Sequence, residues 1–592
     1  MRNQTNLMKK IFCFLILAVC VSSVAQKTLS KDYSFKVSEP YRVFDAKNKF
    51  YLSENGEALA IKFDGPDILI QKFDAGQPAF KQEKKYEKFF PKGYEVEDVL
   101  KTGNKYHVFF SSWDGDNEHL YSQELNFATG EFTGQPKLMF EVKGKVTRHQ
   151  NQDPGKRIWG YAVGGCKFEI VTSFDKNNIL VQYRKKPEVK SDVKSYDIIG
   201  LCSYNGNLEQ LAMREIKMPY TERRMNNLDY KLDNKGDLYM LTKVFHDDSN
   251  DDKKKKKDTV ANYHIELFKI KSGSDKIEIS QFDNKDKFVN GLWIFDTNKD
   301  YLVCGGYYSN GKGKLGASGA YSFFGNYRIS STGESDGVMV FKIKNDGSIY
   351  DEYYHEIPLD ILNAFESKST ARKNARKEEN GVSAKIPFLV LKNLEVLENG
   401  SMMLVGEQFH MEQQRYNGIG GSGFGPAPVG GFGAGGFGTV GAGPFGQSTS
   451  FNYYYGDILV TKIAPDGSLS FMNKIPKEQV GGKGLGGMSY KYFFANNHHY
   501  FIYLDNVKNI DLPEGKKPAK HSDGQGGYLT AVKINDSDGH LAKGSILNAR
   551  EVDDFKIHQF STSRIVKTSE RSFLVEAYKK QKEDIMIKVE LN

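Results

Sequence analysis

A short unit that recurs along the chain constrains the fold more than any other feature of the sequence. The unit is a strand containing apolar-x-Lys-apolar, then a tight turn and a second strand, and its clearest copies are Asp336–Ile349 and Asp457–Leu469. Both turn through Asp-Gly, which supplies the positive φ angles that a tight hairpin requires. Six copies keep the lysine, at Ile70–Phe73, Leu267–Ile270, Val340–Ile343, Val460–Ile463, Ala531–Ile534 and Met586–Val589. Two degenerate copies fit the same place, Leu120–Phe132 and Tyr196–Leu208.

Another pair of strand-like runs precedes each copy. Leu394–Gly406 is a clear example, with Glu-Asn-Gly at its turn. Four short strands repeated at intervals along a chain are typical of the blades of a β-propeller. We therefore predict an all-β fold, a single β-propeller of about eight four-stranded blades, with seven blades as the alternative. The recurring lysines are expected on a solvated strand face, in a structural role.

The two ends of the chain predict how the ring closes. The last strand-like run, Ile585–Leu591, has no partner strand after it, whereas Tyr33–Val37 alternates like a strand before the first blade. Pairing the two ends removes an exposed sheet edge. We predict that the N-terminal strand is the outermost strand of the last blade. The best helix candidate, Leu359–Lys377, lies between the fifth and sixth blades.

Segments such as Asp457–Leu469 resemble the bacterial beta-propeller repeat proteins, whose units read as an acidic start, an apolar strand with Lys or Arg, and Asp-Gly-Ser. The aromatic-rich and lysine-rich style, together with a signal-like N-terminal segment, residues 1–25, that is followed by Gln26, also resembles exported envelope proteins of the Bacteroidota. The resemblance implies a propeller fold in an exported protein. The family has no shared activity, so no functional residue carries over.

Residues 1–25 are expected to be a signal peptide. A basic start precedes the apolar run Ile11–Val21, and small residues precede Gln26. The run is too short for a stable membrane span, and no later stretch is as apolar, so we expect no transmembrane span in the mature chain. Lipidation at Cys20 is the alternative, which Val19 disfavours. The predicted location is exported, periplasmic or outer-membrane associated.

Charge and cysteine content exclude some classes of function. The formal net charge of +8 falls to +5 when the leader, which holds three basic residues and no acidic one, is removed. Such a mild charge does not predict a nucleic-acid partner. Cys166, Cys202 and Cys304 remain after cleavage, too few for a disulfide scaffold. Two alternatives for these cysteines are left open: a Cys166–Cys202 bridge, or buried free thiols.

The long insertions fall at particular places in the propeller domain, residues 26–592. They are predicted at 246–259, 309–335, 359–385, 409–455 and 505–526. In a blade, the loop between the second and third strands and the connection to the next blade open on one face. Long loops on one rim of a rigid scaffold are where binding usually resides.

Two of these insertions carry candidate binding residues. The Gly-rich stretch between residues 417 and 447 places a glycine after each of four phenylalanines, Phe424, Phe432, Phe437 and Phe445. Two interpretations of this segment are open: its phenylalanines dock into a partner, or it is a flexible insert without a binding role. The helix candidate carries a basic patch, Arg372, Lys373, Arg376 and Lys377, which favours an acidic protein or lipid surface.

No sequence pattern of established catalytic chemistry emerges. The histidines have no metal-ligand spacing, and neither a nucleophile elbow nor a phosphate-binding loop is present. We expect no metal and no cofactor. The prediction is a non-enzymatic propeller that binds an envelope protein or acts as a scaffold, with a subunit of a secretion or surface-assembly complex as a specific version. A propeller enzyme acting on glycans through carboxylates at the central channel is the alternative.

Overall fold

The computed structural model describes residues 29–46, 48–74, 76–148, 166–185, 195–249, 251–255, 258–282, 284, 287–297, 299–311, 333–415, 449–481, 488–513, 515–522, 526–552, 556–580 and 582–591. Within these ranges the chain forms antiparallel sheets of four main strands, arranged in a ring of eight blades. The all-β propeller and its eight blades are therefore confirmed.

We letter the strands of each blade A to D from the centre outward. Blade 1 has Asn48–Glu54, Glu57–Asp64, Asp67–Asp74 and Phe80–Glu87. Blade 2 has Glu95–Thr102, Lys105–Trp113, Asn117–Asn126 and Glu131–Lys143. Blade 3 has Glu169–Thr172, Asn178–Lys185, Tyr196–Asn205 and Gln210–Thr221. Blade 4 has Met225–Leu232, Leu238–Phe245, Tyr263–Ile270 and Ile277–Phe282.

The second half of the ring follows the same order. Blade 5 has Phe288–Phe295, Tyr301–Ser309, Gly337–Lys344 and Ile349–Glu356. Blade 6 has Leu389–Val396, Met402–Arg415, Thr449–Ile463 and Leu469–Ile475. Blade 7 has Lys491–Ala495, His498–Asp505, Tyr528–Asn535 and Leu541–Asn548. Blade 8 has Gln559–Ser569, Ser572–Lys580 and Glu583–Leu591, with Tyr33–Val37 as strand D.

The hydrophobic core lies between neighbouring blades. Leu59 of blade 1 packs in one cluster with Val108 of blade 2, and Val405 of blade 6 packs with Phe501 of blade 7. Strands B and C are therefore buried on both faces, whereas an outer strand such as Phe80–Glu87 is largely exposed. The A strands of neighbouring blades lie against one another around the centre of the ring.

The ring closes through the N-terminal strand, as predicted. Tyr33–Val37 pairs antiparallel with Glu583–Leu591, with Tyr33 opposite Leu591 and Val37 opposite Ile587. Phe35 and Val37 pack against the core of blades 7 and 8. Closure therefore joins the two ends of the described chain in one sheet.

The recurring lysines do not lie on a solvated face, and that prediction is wrong. Lys72, Lys269, Lys342 and Lys462 are all less than a tenth exposed, because the next blade covers the strand face that carries them. The ammonium groups donate across the gap to carbonyl oxygens in the C–D turn of the following blade: Lys72 to Ala128, Lys269 to Asn345, Lys342 to Pro465, Lys462 to Asp536 and Lys588 to Gly76. In the same position Lys533 reaches the Asp32 carboxylate before the N-terminal strand, at 2.9 Å. The lysines therefore have a structural role, since each links one blade to the next, and we call these contacts the lysine latches.

A few short elements complete the fold. The predicted helix is present as two, α1 (Leu359–Asn363) and α2 (Lys368–Glu379), because the chain turns between them at Phe365, whose φ is +59°. Short strands lie at Tyr41–Arg42, Val146–Thr147, Glu334–Ser335, Ile386–Pro387, Gln479–Gly481 and His521–Ser522, and a 3₁₀ turn at Val507–Asn509. No helix in the described ranges has the length and apolar character needed to cross a bilayer.

Candidate binding surface on the insertion face

All the B–C loops and all the connections between blades open on the same face of the ring, because strand direction alternates within each blade. The long ones are the B–C loops 246–262, 310–336, 416–448 and 506–527 and the connections 144–168 and 357–388. We call this side the insertion face. The connection 144–168, between blades 2 and 3, is one that the sequence reading missed. Connections on the opposite face stay tight, as at Gly347 and Gly467, whose φ angles are +88° and +85°.

Helix α2 presents the predicted basic patch on the insertion face. Its N-cap, Ser367, accepts a hydrogen bond from the backbone N–H of Thr370 at 3.1 Å. Arg372, Lys373 and Arg376 are exposed, and their spacing puts them on one side of the helix. Arg376 also lies in the last turn, where a cation is favoured by the helix dipole.

The patch is held firmly by the ring. The α1 carbonyl of Leu362 accepts a hydrogen bond from Lys474 of blade 6 at 2.9 Å, and the Leu362 side chain is buried in the core of blades 5 and 6. The two helices are joined by Asn374, whose amide donates to Asn363 at 2.9 Å. The arginines therefore project from a packed support.

The B–C loop of blade 7 continues the basic surface. The Lys517 ammonium lies 3.1 Å from Glu366, between the two helices. The loop also exposes Lys508, Lys516 and Lys520. Residues 357–388 and 506–527 together hold ten basic and seven acidic residues, and the excess is concentrated in Arg372–Lys377, which has no acidic member.

Three half-buried aromatic rings lie beside this basic surface. Phe388, His410 and Tyr454 stack in series, with ring centroids 4.8 and 4.6 Å apart and planes inclined by 28° and 3°. The Lys520 ammonium lies 5.8 Å from the centroid of the Tyr454 ring, within cation–π range. Aromatic side chains such as Phe388 and Tyr454 are enriched in protein interfaces, as is arginine.

The predicted Phe-Gly segment lies in the chain between strands B and C of blade 6, whose described ends are beside this surface. Strands B and C of blade 6 continue above the blade as a ladder that runs from Phe409 opposite Tyr455 to Arg415 opposite Thr449. Gln479–Gly481 pairs with this ladder, and His521–Ser522 of the blade 7 loop pairs with Gln479–Gly481. Phe424, Phe432, Phe437 and Phe445 lie outside the described residues, so their docking role stays a prediction.

A bulge that no sequence pattern indicated recurs on the inner strands and, in four of the five blades that have it, redirects polar side chains. Strand A shifts register against strand B in blades 2, 4, 5, 6 and 8. Bulges of this kind turn a side chain out of the regular alternation. The extra residues are Glu97, Leu228, Asn290, Lys392 and, in blade 8, a four-residue bulge that ends at Arg564.

The buried glutamates near these bulges are bound by donors from their own or the next blade. Glu97 accepts hydrogen bonds from Ser111 at 2.5 Å and from the backbone N–H groups of Lys167 and Phe168 at 2.9 and 3.4 Å. Burial, together with the nearby charge of Glu95, raises the pKa of Glu97 to about 7, although these three hydrogen bonds favour its ionised form. The side chain therefore ties blade 2 to the start of blade 3.

Glu407 fills the equivalent role between blades 6 and 7. The ammonium groups of Lys392 and Lys477 lie 2.9 and 2.7 Å from its carboxylate, and Ser489 donates to it at 2.7 Å. Burial alone would raise the pKa of Glu407, but the two lysines hold it below its ordinary value. Burial lowers the pKa of Lys392 to about 8.

The cysteines and the metal-ligating side chains are the remaining candidates for chemistry. Cys166, Cys202 and Cys304 are thiols, so the Cys166–Cys202 bridge does not form. Burial raises the pKa of Cys202 to about 12, which makes that thiol unreactive. Over the described ranges, no group of three or more His, Cys, Asp and Glu side chains is arranged to hold a metal ion.

Comparison with known proteins identifies no family for this chain. No protein-family model matches the chain, and no curated protein sequence is similar to it. Among solved structures, a mutant of the apocarotenoid oxygenase of Synechocystis is 9% identical, with a TM-score of 0.30 over 61% of this chain and 66% of the oxygenase. A protein from Listeria monocytogenes is 9% identical, with a TM-score of 0.32 over 82% of this chain and 94% of that one. The chain thus spans just under two thirds of the oxygenase, and scores this low carry no argument about function.

Proposed function

We propose that the protein is a non-enzymatic, exported component of the bacterial cell envelope that binds a protein partner through its insertion face. The observation that carries the proposal is the row of exposed cations on α2, held on a rigid ring beside the stacked rings of Phe388, His410 and Tyr454. A scaffold that orders an envelope complex needs such a surface, and a subunit of a secretion or surface-assembly complex is the specific form of this role.

The charge of the surface selects the chemistry of the partner. Arg372, Lys373 and Arg376 lie close together, and no described carboxylate comes within ion-pair distance of them. A partner with an acidic patch would be steered toward this face and held in register by it. The buried glutamates Glu97 and Glu407 are bound by donors within the ring, in a structural role.

The Phe-Gly segment supplies the proposed anchor. Residues 417–447 contain few apolar residues besides Phe424, Phe432, Phe437 and Phe445, and each of these is followed by glycine. Aromatic anchors that enter pockets on a partner usually dominate the energy of an interface. The cations then orient the partner, and the phenylalanines supply most of its affinity.

The test is recovery of the partner from native envelope by tagged protein, with residues 417–447 replaced by a short Gly-Ser linker. The partner should be lost, and changing only the four phenylalanines to serine should have nearly the same effect. The melting temperature should hardly change, because loop-closure free energy varies by only about 0.6 kcal/mol per doubling of length. Unchanged recovery would contradict the anchor, and a large fall in melting temperature would mean that the segment packs into the ring.

A further inference from the structure

We infer that His246 and His264, at the base of the blade 4 insertion, form a binding site for a divalent transition-metal ion. His246 directly follows strand B and His264 is the second residue of strand C, so the two side chains meet across the hairpin. The His246 Nε2 atom lies 3.2 Å from the His264 Nδ1 atom. Two nitrogens bound at 2.0–2.1 Å to a tetrahedral ion stand about 3.3 Å apart.

A carboxylate orients one of the two imidazoles for this purpose. The His264 Nε2 atom lies 2.8 Å from the Glu266 carboxylate, which also accepts a hydrogen bond from Tyr220 at 3.0 Å. Because the carboxylate accepts a hydrogen bond from the Nε2–H group, the Nδ1 atom carries the lone pair, which faces His246. A histidine held through its far nitrogen by a buried carboxylate is the arrangement that metal-ligating histidines almost always show.

The second imidazole is anchored at its backbone and open to solvent. The His246 N–H donates to the Asn262 carbonyl at 3.0 Å, and the Asn262 amide binds Asp247 at 2.9 Å. The His246 side chain is exposed, so its ring can turn to aim its lone pair at an ion shared with His264. Two cations, Lys254 and Arg224, and two carboxylates, Asp247 and Glu266, lie near the histidine pair. The charges around the pair are therefore balanced.

Two imidazoles do not complete a coordination shell, so water or a side chain of a partner would fill the other positions. Imidazole suits copper, zinc and nickel, and affinity for a given nitrogen site is highest for Cu²⁺ among the divalent ions of the first row. Ca²⁺ and Mg²⁺, which take oxygen ligands, should not bind here. The bound ion would link the end of strand B to the start of strand C, the two points between which the insertion extends.

The test is titration of the full chain with Cu²⁺ alone in a non-coordinating buffer, followed by isothermal calorimetry and electron paramagnetic resonance. Wild type should bind one ion more tightly than H246Q or H264Q by at least tenfold, and its spectrum should show coupling to two nitrogens. E266Q should weaken binding 10–100-fold, because it removes only the orienting carboxylate. The control H540Q changes an exposed histidine on the opposite face and should bind as wild type does.

His246 is exposed, so H246Q keeps the test valid even where H264Q disturbs folding, which circular dichroism would report. Equal Cu²⁺ affinity in wild type and H246Q would overturn the inference, as would a spectrum with fewer than two coupled nitrogens. Loss of binding in H246Q that H540Q does not share would support it.

Discussion

The Lys62 ammonium donates to the Glu576 carboxylate in the buried seam where the last blade meets the first, although the two residues are 514 positions apart in the chain. Both side chains are fully buried. Lys49 and Arg564 each lie 3.7 Å from the same carboxylate. Asp584 is the second acid of the seam, so three cations face two carboxylates around the point of closure.

Glu576 should therefore be the most costly residue of the seam to neutralise. E576Q removes the carboxylate that accepts hydrogen bonds from Lys62, Tyr41 and Tyr51. K62M leaves that carboxylate bound by both tyrosines and close to the two other cations. Removing one partner of a buried ion pair typically costs about 3–5 kcal/mol. We expect E576Q to lose stability in that range and K62M to lose clearly less, by urea unfolding at pH 7. The reverse order would mean that the Glu576 carboxylate is not the main anchor of the seam.

Asp584 makes the stability of the ring depend on pH. Burial, and then the charge of Glu576, raises the pKa of Asp584 to about 6, and neither of its carboxylate oxygens has a hydrogen-bond donor within the described residues. The folded state thus holds the proton more tightly than the unfolded chain, where an aspartate has a pKa of about 3.9. This contribution to stability is complete below pH 4 and is lost as the pH rises through 6.

D584N, which resembles the protonated form, should remove that dependence. Its stability should match wild type near pH 4 and exceed it at pH 7, because burial and the charge of Glu576 disfavour the ionised carboxylate in the folded protein. Urea unfolding at several pH values between 4 and 7.5 measures the difference. A variant less stable than wild type at pH 7 would show that the fold needs the ionised carboxylate.

The N-terminal strand should be essential to the ring. Phe35 packs inward against the core of blades 7 and 8, while the neighbouring Lys36 is exposed. F35D removes that apolar contact and places a charge at a half-buried position against the core, so it should cost several of the roughly 5–15 kcal/mol that a domain has. K36D, the matched control on the same strand, should stay within about 0.5 kcal/mol of wild type. Deleting Tyr33–Val37 should be at least as harmful as F35D. Melting curves like that of wild type for F35D and the deletion would contradict closure by this strand.

The lysine latches should each contribute measurably to stability. Lys462 donates to the Asp536 carbonyl and carboxylate oxygens, both at 2.6 Å, from a position only 6% exposed. K462M should cost about 1–3 kcal/mol, the usual price of leaving buried partners unsatisfied. K344M, which changes an exposed lysine near the end of a C strand, should change little. Equal effects in thermal unfolding would show that the latch carries no stability.

The sequence pattern predicted the blades, their number and the strand that closes the ring because those features depend on local repeats. Asp-Gly turns at Asp346 and Asp466 mark the C–D hairpins directly, and the unpaired run Ile585–Leu591 indicates a missing neighbour. The lysine prediction was wrong because alternation within one strand shows only which side chains share a face. A propeller covers that face with the next blade.

The other features depend on contacts between residues far apart in the chain, which periodicity cannot show. The seam joins Lys62 to Glu576. The bulge at Lys392 has a role only because it brings the Lys392 ammonium to Glu407, which Lys477 also contacts. His246 and His264 lie 18 positions apart, the first at the start of a predicted insertion and the second just beyond its end. A search for histidines at the two strand ends that bound one loop would have found this pair.

The most direct test of the proposed partner is charge reversal on α2. The variant R372E/K373E/R376E should lose recovery of the envelope partner by at least tenfold, and the wild-type interaction should weaken as salt rises, because the cations are exposed. The matched control K271E/K276E/K344E reverses three exposed lysines at C–D turns on the opposite face and should recover the same protein, identified by mass spectrometry, as wild type does. Full recovery by the α2 variant, or equal loss in both variants, would contradict binding through the insertion face.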